Sequence, residues 1–413
     1  MKPEILAPAG NLEKLKAAIN FGADAVYLGG SKLNLRAFAD NFSNEDLKEG
    51  IEFAHVRGKK VYVTLNVFPH NDDLDGLEDY LKEVYEIGAD AIIVSDPGII
   101  MTAREVVPNL EIHLSTQANN VNYKSAIFWH KQGVKRIVLA RELSLKEIKE
   151  IRAKLPDTCE LEAFVHGSMC MSYSGRCLMS NYMTGRDANR GQCAQPCRYK
   201  YFLMEEKRDG EYFPVIEDDK GSYIMNSKDL CMIEHIPELM ESGVMSFKIE
   251  GRMKSSYYVA SVCKSYREAL DAYVADGANY KFQKKWLDNL LKPSHRQFYT
   301  GFYFGDPSNQ IYESSSYIRN YDIVGVVRKY DKKSNIATIE QKNKTYLCDT
   351  VEVLRPIGDN ILITLDDMRN SKGESIPSAP SAQMIFTVNV KEKLCENDIL
   401  IKAKEKKWWI ILY

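Results

Sequence analysis

From residue 4 to about residue 250 the chain alternates short, nearly continuous apolar runs with longer stretches whose apolar positions recur every three or four residues. The first kind reads as buried strand and the second as helix with one apolar face. The strand candidates are EILAPAG (4–10), ADAVYLGG (23–30), KVYVTLN (60–66), ADAIIVSD (89–96), LEIHLSTQ (110–117), RIVLAR (136–141), LEAFVHG (161–167) and SFKIEG (246–251). Between them lie helix patterns such as NLEKLKAAINFG, SNEDLKEGIEFAHVRG, LDGLEDYLKEVYEIG, YKSAIFWHKQG and SLKEIKEIRAK. Asn or Ser stands at several helix starts and three patterns run into Gly, residues that satisfy the first N–H groups and tolerate the left-handed turn at the end. Strands alternating with helices pair in parallel through right-handed crossovers. Eight such units predict an α/β fold, a (β/α)8 TIM-type barrel over residues 1–280. The alternative, a doubly wound open sheet, usually has fewer strands, and no G-x-G-x-x-G follows the first one here.

This fold places chemistry at the C-terminal ends of its strands. The polar residues there are Asn66, Asp96, Gln117, Asn119, Arg141, Glu142, His166, Glu250, Arg252 and Lys254. Singly, each is better explained by a loop or the rim of a barrel than by catalysis. Together they outline a polar mouth whose cations suit an anionic ligand.

The interval between the seventh and eighth strands is too long for one βα unit of about 30 residues, since Gly167 ends one strand and Met245 begins the next. The excess, about 167–228, is an insertion over the mouth. It holds Cys170, Cys177, Cys193 and Cys197, and Cys231 follows in a helix-like run, DLCMIEHIPELM, where apolar packing is its simplest explanation. Spacings of C-x6-C, fifteen residues, then C-x3-C are not the tight knuckles of common zinc sites. They suit ligands converging from a long loop, as around a [4Fe-4S] cluster, with Gly175, Gly185 and Gly191 letting the backbone pass close. Zinc and scattered inert thiols are the alternatives.

After about residue 280 the pattern changes. A connector over 281–316 leads to a segment, 317–413, that alternates apolar and polar residues around the turn signals YDKKSN and IGDN, predicting a small antiparallel β-barrel domain. Its ending, KKWWIILY, is apolar enough to require cover by a strand pair, the barrel or another subunit, so an oligomer is one expectation. Composition adds little: 45% hydrophobic and 27% charged residues suit a globular protein, and a net charge of -2 confines any nucleic-acid contact to a local patch. Such a patch exists between Cys170 and Lys200, where four Arg and one Lys face one Asp and are interleaved with Tyr173, Tyr182 and Tyr199. Arg pairs with phosphate and the rings can stack on splayed bases; equally, the arginines could neutralise a thiolate cluster. With neither a leader-like start nor an apolar run of about 18 residues, the expected location is the cytoplasm, where clustered thiols more often bind metal than form disulfides.

The segment EAFVHGSMCMSYSGRCLMS resembles the signature of peptidase family U32, with its E-x-F-x2-G-[SA]-x-C-x4-G-x-C-x2-S pattern matched at Glu162, Phe164, Gly167, Ser168, Cys170, Gly175, Cys177 and Ser180. The likeness continues through RGQCAQPCRYKY, YIMNSKDLC, SFKIEGRMKSSYYVA and the opening ILAPAG. The family takes its name from collagenase-like proteolysis, but it includes hydroxylases that carry an iron–sulfur cluster and act on RNA or a quinone precursor. The chain most resembles the tRNA-hydroxylating members, which form 5-hydroxyuridine at the wobble position and depend on prephenate. The resemblance implies a cluster on Cys170, Cys177, Cys193 and Cys197, with Cys231 in place of Cys197 in some relatives, and admits a related partner protein. Prephenate carries two carboxylates, for which Arg is the natural partner, so Arg141 and Arg252 are the candidates, with Lys248 or Lys254 behind them. Arg176 and Arg198 are candidates for RNA, and His166, Glu250, Asn66 and Gln117 for catalysis.

A peptidase would need other chemistry. Neither H-E-x-x-H nor G-x-S-x-G is present, which leaves a Cys170/His166 pair whose geometry the sequence does not give. A Cys170 bound to iron could not be that nucleophile. A third reading is a non-catalytic RNA-binding protein in which the metal staples the loop.

Overall fold

A computed structural model describes residues 2–33, 41–170, 172–198, 226–305 and 317–404, together with the short strands 202–204, 212–214 and 310–311. All eight expected barrel strands form. Seven follow in order, β1 (Glu4–Pro8), β2 (Ala25–Leu28), β3 (Lys60–Leu65), β4 (Ala91–Val94), β5 (Glu111–Leu114), β6 (Arg136–Val138) and β7 (Glu160–Ser168). The insertion adds a hairpin of β8 (Phe202–Met204) and β9 (Tyr212–Pro214), then β10 (Asn226–Ser227) and β11 (Asp229–Cys231), before β12 (Ser246–Ile249) completes the barrel. Each neighbour from β1 to β7 pairs in parallel, and β12 pairs in parallel with both β1 and β7, so the sheet closes. The helices α1 (Leu12–Asn20), α2 (Asn44–His55), α3 (Leu77–Ile87), α4 (Pro97–Val106), α5 (Tyr123–Lys131) and α6 (Leu145–Lys154) follow the first six strands. Asn11, Ser43, Asn122 and Ser144 accept hydrogen bonds at the starts of four of them. Asp96, expected at the mouth, does the same for α4, accepting from the Ile99 N–H at 3.0 Å.

The barrel interior is only partly apolar. Leu6, Ala25, Tyr27, Tyr62, Ala91 and Ile93 pack together, but the fully buried Glu162 accepts from Lys248 Nζ at 2.6 Å and Arg136 at 3.3 Å. Arg136 also reaches Glu4 at 2.6 Å and Glu160 at 2.9 Å, and the Tyr62 hydroxyl donates to Glu4 at 2.6 Å. Lys248, a reserve candidate for the mouth, is therefore held inside the barrel. Paired in this way the charges are tolerated, whereas removing one partner would strand the other without water.

At its end β7 changes partners. On one side Glu162 to Phe164 run alongside Ser246 to Lys248 and, after a register shift, His166 alongside Ile249; on the other, where Arg136 to Val138 flank Glu160 to Glu162, His166, Gly167 and Ser168 pair antiparallel with Cys231, Leu230 and Asp229. Cys231 thus lies on a strand and not in the expected helix, because a short run such as LCMI suits either period. Two short helices flank the insertion strands, α7 (Met179–Thr184) before them and α8 (Ile236–Glu241) after them, and α9 (Ser256–Ala275) follows β12.

The chain divides into two compact units, residues 1–287 with 296–317, and 288–295 with 318–413. The segment read as a connector is shared between them: α10 (Lys284–Leu290) spans the division, and β13 (Phe298–Tyr299), which pairs with β11, and β14 (Gln310–Ile311), which pairs with β10, belong to the barrel unit. The second unit is antiparallel as expected. It comprises β15 (Tyr321–Asp331), β16 (Ile336–Gln341), β17 (Thr345–Tyr346), β18 (Thr350–Leu354), β19 (Ile361–Thr364), β20 (Ser378–Ala379), β21 (Ile385–Asn389) and β22 (Ile399–Ala403). Six form one sheet in the order β19-β18-β22-β15-β16-β21 over a core of Val327, Ile339, Val353, Phe386 and Leu400. The apolar ending KKWWIILY lies outside the described residues. Among those described, no helix is long and apolar enough to cross a membrane.

Candidate active site

The segment after β7 crosses the C-terminal ends of the barrel strands as a strap pinned on two sides. Near β5 and β6 the Ser174 N–H donates to Glu142 at 3.0 Å and Thr116 Oγ1 lies 3.3 Å from Ser174 Oγ. Gly175 sits there at φ +73°, so close that a Cβ would stand 2.2 Å from the Gln117 carbonyl oxygen; both its dihedral and its surroundings require glycine. Beyond β3, the Phe68 N–H donates to the Asn189 carbonyl at 3.1 Å, and Arg190 Nη2 reaches both oxygens of Asp73 at 2.9 and 2.8 Å. Asn189 Nδ2 in turn donates to the Cys177 carbonyl at 3.1 Å.

The strap carries Cys170, Cys177, Cys193 and Cys197, the first exposed and the others half-buried. Arg141 Nη1 approaches Cys170 Sγ at 3.7 Å, and the Gln195 N–H approaches Cys193 Sγ at 3.4 Å. Such N–H to sulfur contacts stabilise thiolates that hold metal. Four soft thiols on one glycine-rich segment are a donor set for an iron–sulfur cluster or zinc, although among the described residues no three His, Cys, Asp or Glu side chains are grouped to hold an ion. Cys231 differs from the four. It lies buried on β11, and that burial pushes its thiol up to about 12.

Several expected residues meet beneath the strap. Arg141 lies flat over the Phe164 ring at 3.9 Å and reaches Glu250 at 3.4 Å as well as Cys170. Asn66 lies 3.5 Å from Ser115 Oγ, and Gln117 forms the turn under Gly175. Arg252 is enclosed, only 4% exposed, with Thr64 at 3.4 Å and Asn41 at 3.2 Å. Lys254 stands over the Tyr317 and Tyr258 rings at 4.1 and 5.2 Å. His166 is not in the open mouth: it is 1% exposed and surrounded by Phe298, Tyr266 and Tyr258 at 5.3–5.9 Å. Arg176 is exposed, as are Tyr173 and Tyr182 on the same strap, at 63% and 91%. The Arg198 side chain, Tyr199 and Lys200 lie outside the described residues.

The arrangement defines a class: a (β/α)8 barrel whose mouth is crossed by a cysteine-bearing strap and whose chain continues into an antiparallel β module. The chain belongs to peptidase family U32, whose model matches residues 10–313, while the model of the U32 C-terminal domain matches residues 319–400. It is 44% identical to the tRNA hydroxylation protein P1 of Bacillus subtilis over 98% of this chain and 95% of that protein. It is 42% identical to the tRNA hydroxylation protein P of Escherichia coli over 92% of each. A protein of Methanocaldococcus jannaschii named as an uncharacterized protease is 45% identical over 85% of this chain and 86% of its own length.

Proposed function

We propose that this chain is a tRNA hydroxylase, forming 5-hydroxyuridine at the wobble position with prephenate as cosubstrate and a [4Fe-4S] cluster on Cys170, Cys177, Cys193 and Cys197. The observation that carries the reading is the strap, which holds four cysteines over the end of the barrel where this fold does chemistry. The relatives' names support tRNA and hydroxylation. When bound, the cluster supplies electron transfer or an open iron site for an oxygen donor. Cys197 is preferred to Cys231 as fourth ligand because it lies on the strap with the other three, whereas Cys231 is buried on β11.

The chain's own residues bind and orient. Glu250 lies 3.4 Å from Arg141, longer than the roughly 2.7–2.9 Å of a strong charge-assisted bond, so a carboxylate of prephenate can take its place on the guanidinium. Glu250, released, is then available to accept or return a proton at its carboxylate. Arg252, enclosed below, keeps the mouth positive without moving. Asn66 and Gln117 offer amides to a base edge. Outside, Arg176 and Arg198 serve phosphates and Tyr173 and Tyr182 stack on bases of a single-stranded loop.

Anaerobic purification beside a Cys170→Ser variant tests the reading, with iron, sulfide and zinc counts and mass spectrometry of tRNA nucleosides. The parent should hold about four irons and four sulfides per chain, lose them in the variant, and make 5-hydroxyuridine when prephenate is supplied. Stoichiometric zinc, or proteolysis that persists after metal removal, would overturn it.

A further inference from the structure

Arg141 occupies a junction of three elements. It follows the end of β6, lies over the Phe164 ring of β7 at 3.9 Å, and divides its two terminal nitrogens between Cys170 Sγ of the strap at 3.7 Å and Glu250, just past β12, at 3.4 Å. Among the described residues these two are its hydrogen-bond partners, and its Nε is buried with none. The surroundings fix the junction. The Phe164 carbonyl accepts from the Tyr303 hydroxyl at 2.5 Å, the Glu250 N–H donates to the His166 carbonyl at 2.8 Å, and the Glu250 carbonyl accepts from the Tyr258 hydroxyl at 3.0 Å. With side chains only 12% and 16% exposed, Arg141 and Glu250 are little screened by water and salt. The charge that Arg141 offers the sulfur therefore depends on what its other nitrogen holds.

We infer that Arg141 is a relay, through which an anion seated in the mouth lowers the reduction potential of the cluster that Cys170 helps to hold. The inference rests on the hydroxylase reading and adds a control to it. Reduction places one more electron on the cluster, so a guanidinium N–H at a ligating sulfur favours the reduced form; hydrogen bonds to sulfur and nearby charge are among the settings of such potentials. Glu250 offsets part of the guanidinium charge. A dicarboxylate brings two negative charges where Glu250 brings one and, at the roughly 2.7–2.9 Å of a bidentate grip, draws the guanidinium off the sulfur. Both changes disfavour the added electron. By linkage the ligand binds the protein with an oxidised cluster more tightly than with a reduced one, by the same factor. The cluster thus becomes a stronger electron donor once the cosubstrate is seated and stays a milder one while the mouth is empty.

Potentiometric titration of the full, anaerobically purified and cluster-loaded chain tests this, with dithionite as the reductant, the absorption spectrum as the readout and equilibrium dialysis to count bound prephenate. Saturating prephenate should lower the parent's midpoint; a tenfold preference for the oxidised form reads as ~59 mV for one electron. Without ligand, Glu250→Gln should raise the midpoint and Arg141→Gln should lower it, with Arg141→Lys, which keeps the charge and loses the fork, in between. Glu250→Gln added to Arg141→Gln should change little, because the carboxylate acts through the guanidinium, and the four proteins form a double-mutant cycle. The inference is overturned by a parent that does not bind prephenate or binds it with an unmoved midpoint, and by a Glu250→Gln shift of the same size with and without Arg141. A parent that holds no iron–sulfur cluster overturns it together with the hydroxylase reading. A loaded parent that makes 5-hydroxyuridine at an unmoved midpoint overturns the relay alone. A midpoint that moves as described, in a protein that leaves tRNA unmodified, does the reverse.

Discussion

Replacing Gly175 with alanine should unseat the strap. At φ +73° an L-residue costs about 1–2 kcal/mol, and the new Cβ would stand 2.2 Å from the Gln117 carbonyl oxygen, a backbone atom that cannot swing aside. Relieving that contact needs a shift of about an ångström, enough to break the Ser174–Glu142 and Thr116–Ser174 hydrogen bonds, each worth about 0.5–1.5 kcal/mol. The sum, about 2–5 kcal/mol, moves the seated-to-released ratio by at least ~30-fold. Gly185 provides the control, because its φ of +69° carries the same dihedral cost while a Cβ there meets nothing within 4 Å. Iron retained through anaerobic gel filtration, trypsin cleavage at Arg176 and Arg186, and 5-hydroxyuridine formed in tRNA are the readouts. Gly175→Ala should lose iron and product and be cut faster, with Gly185→Ala close to the parent. Equal behaviour of the two variants would refute the seating of the strap on Gln117.

Lys248→Met strands Glu162, which is fully buried, and should cost about 3–5 kcal/mol in urea denaturation, most of it recovered when Glu162→Leu is added. Burial alone would raise the Glu162 pKa, but Lys248 and Arg136 outweigh it and hold the carboxyl below its ordinary 4.5. Its contribution to stability is therefore complete above about pH 4.5 and lost as pH falls through the lower folded value, so the denaturation midpoint of Glu162→Gln should fall less steeply between pH 5 and pH 3 than the parent's. Cys197→Ser should lose iron while Cys231→Ser keeps it; the opposite pattern would exchange the fourth ligand. Exchanging the charges of Asp73 and Arg190 in one double variant should restore strap protection from trypsin that either single reversal loses.

The barrel was legible because each strand is a short apolar run and most helix starts carry a residue able to bond their own first turn, as Asn11 and Ser144 do. The insertion was legible from spacing alone. What escaped had physical reasons. Asp96 has the same composition whether it caps α4 or faces substrate, and only the backbone decides. His166 stands at a strand end like Arg141, but the register shift after Lys248 takes it among aromatic rings instead of into the mouth. Glu4, Arg136 and Glu162 went unmarked as partners because a lone charge inside an apolar run shows nothing of the charges from other strands that it meets. Arg252 occupies the expected strand end, yet Thr64 and Asn41, distant in sequence, enclose it. The unpartnered carboxylate oxygen of Glu142 exists only once the strap has taken the other.

The change of partner at the end of β7 bears on how the chain is made. His166 to Ser168 pair with residues 229–231, roughly 60 positions later, and that strand is itself flanked by 298–299. At a synthesis rate of about 5–20 residues per second the end of β7 waits several seconds on the ribosome before its neighbour exists. During that interval it is an open sheet edge, able to pair with the wrong chain. The cysteines emerge within the same wait, so nascent chains with exposed thiols and an unpaired edge coexist. Supplying iron late, or slowing translation between residues 168 and 229, should therefore show first as aggregation of new chains, before any loss among those already folded.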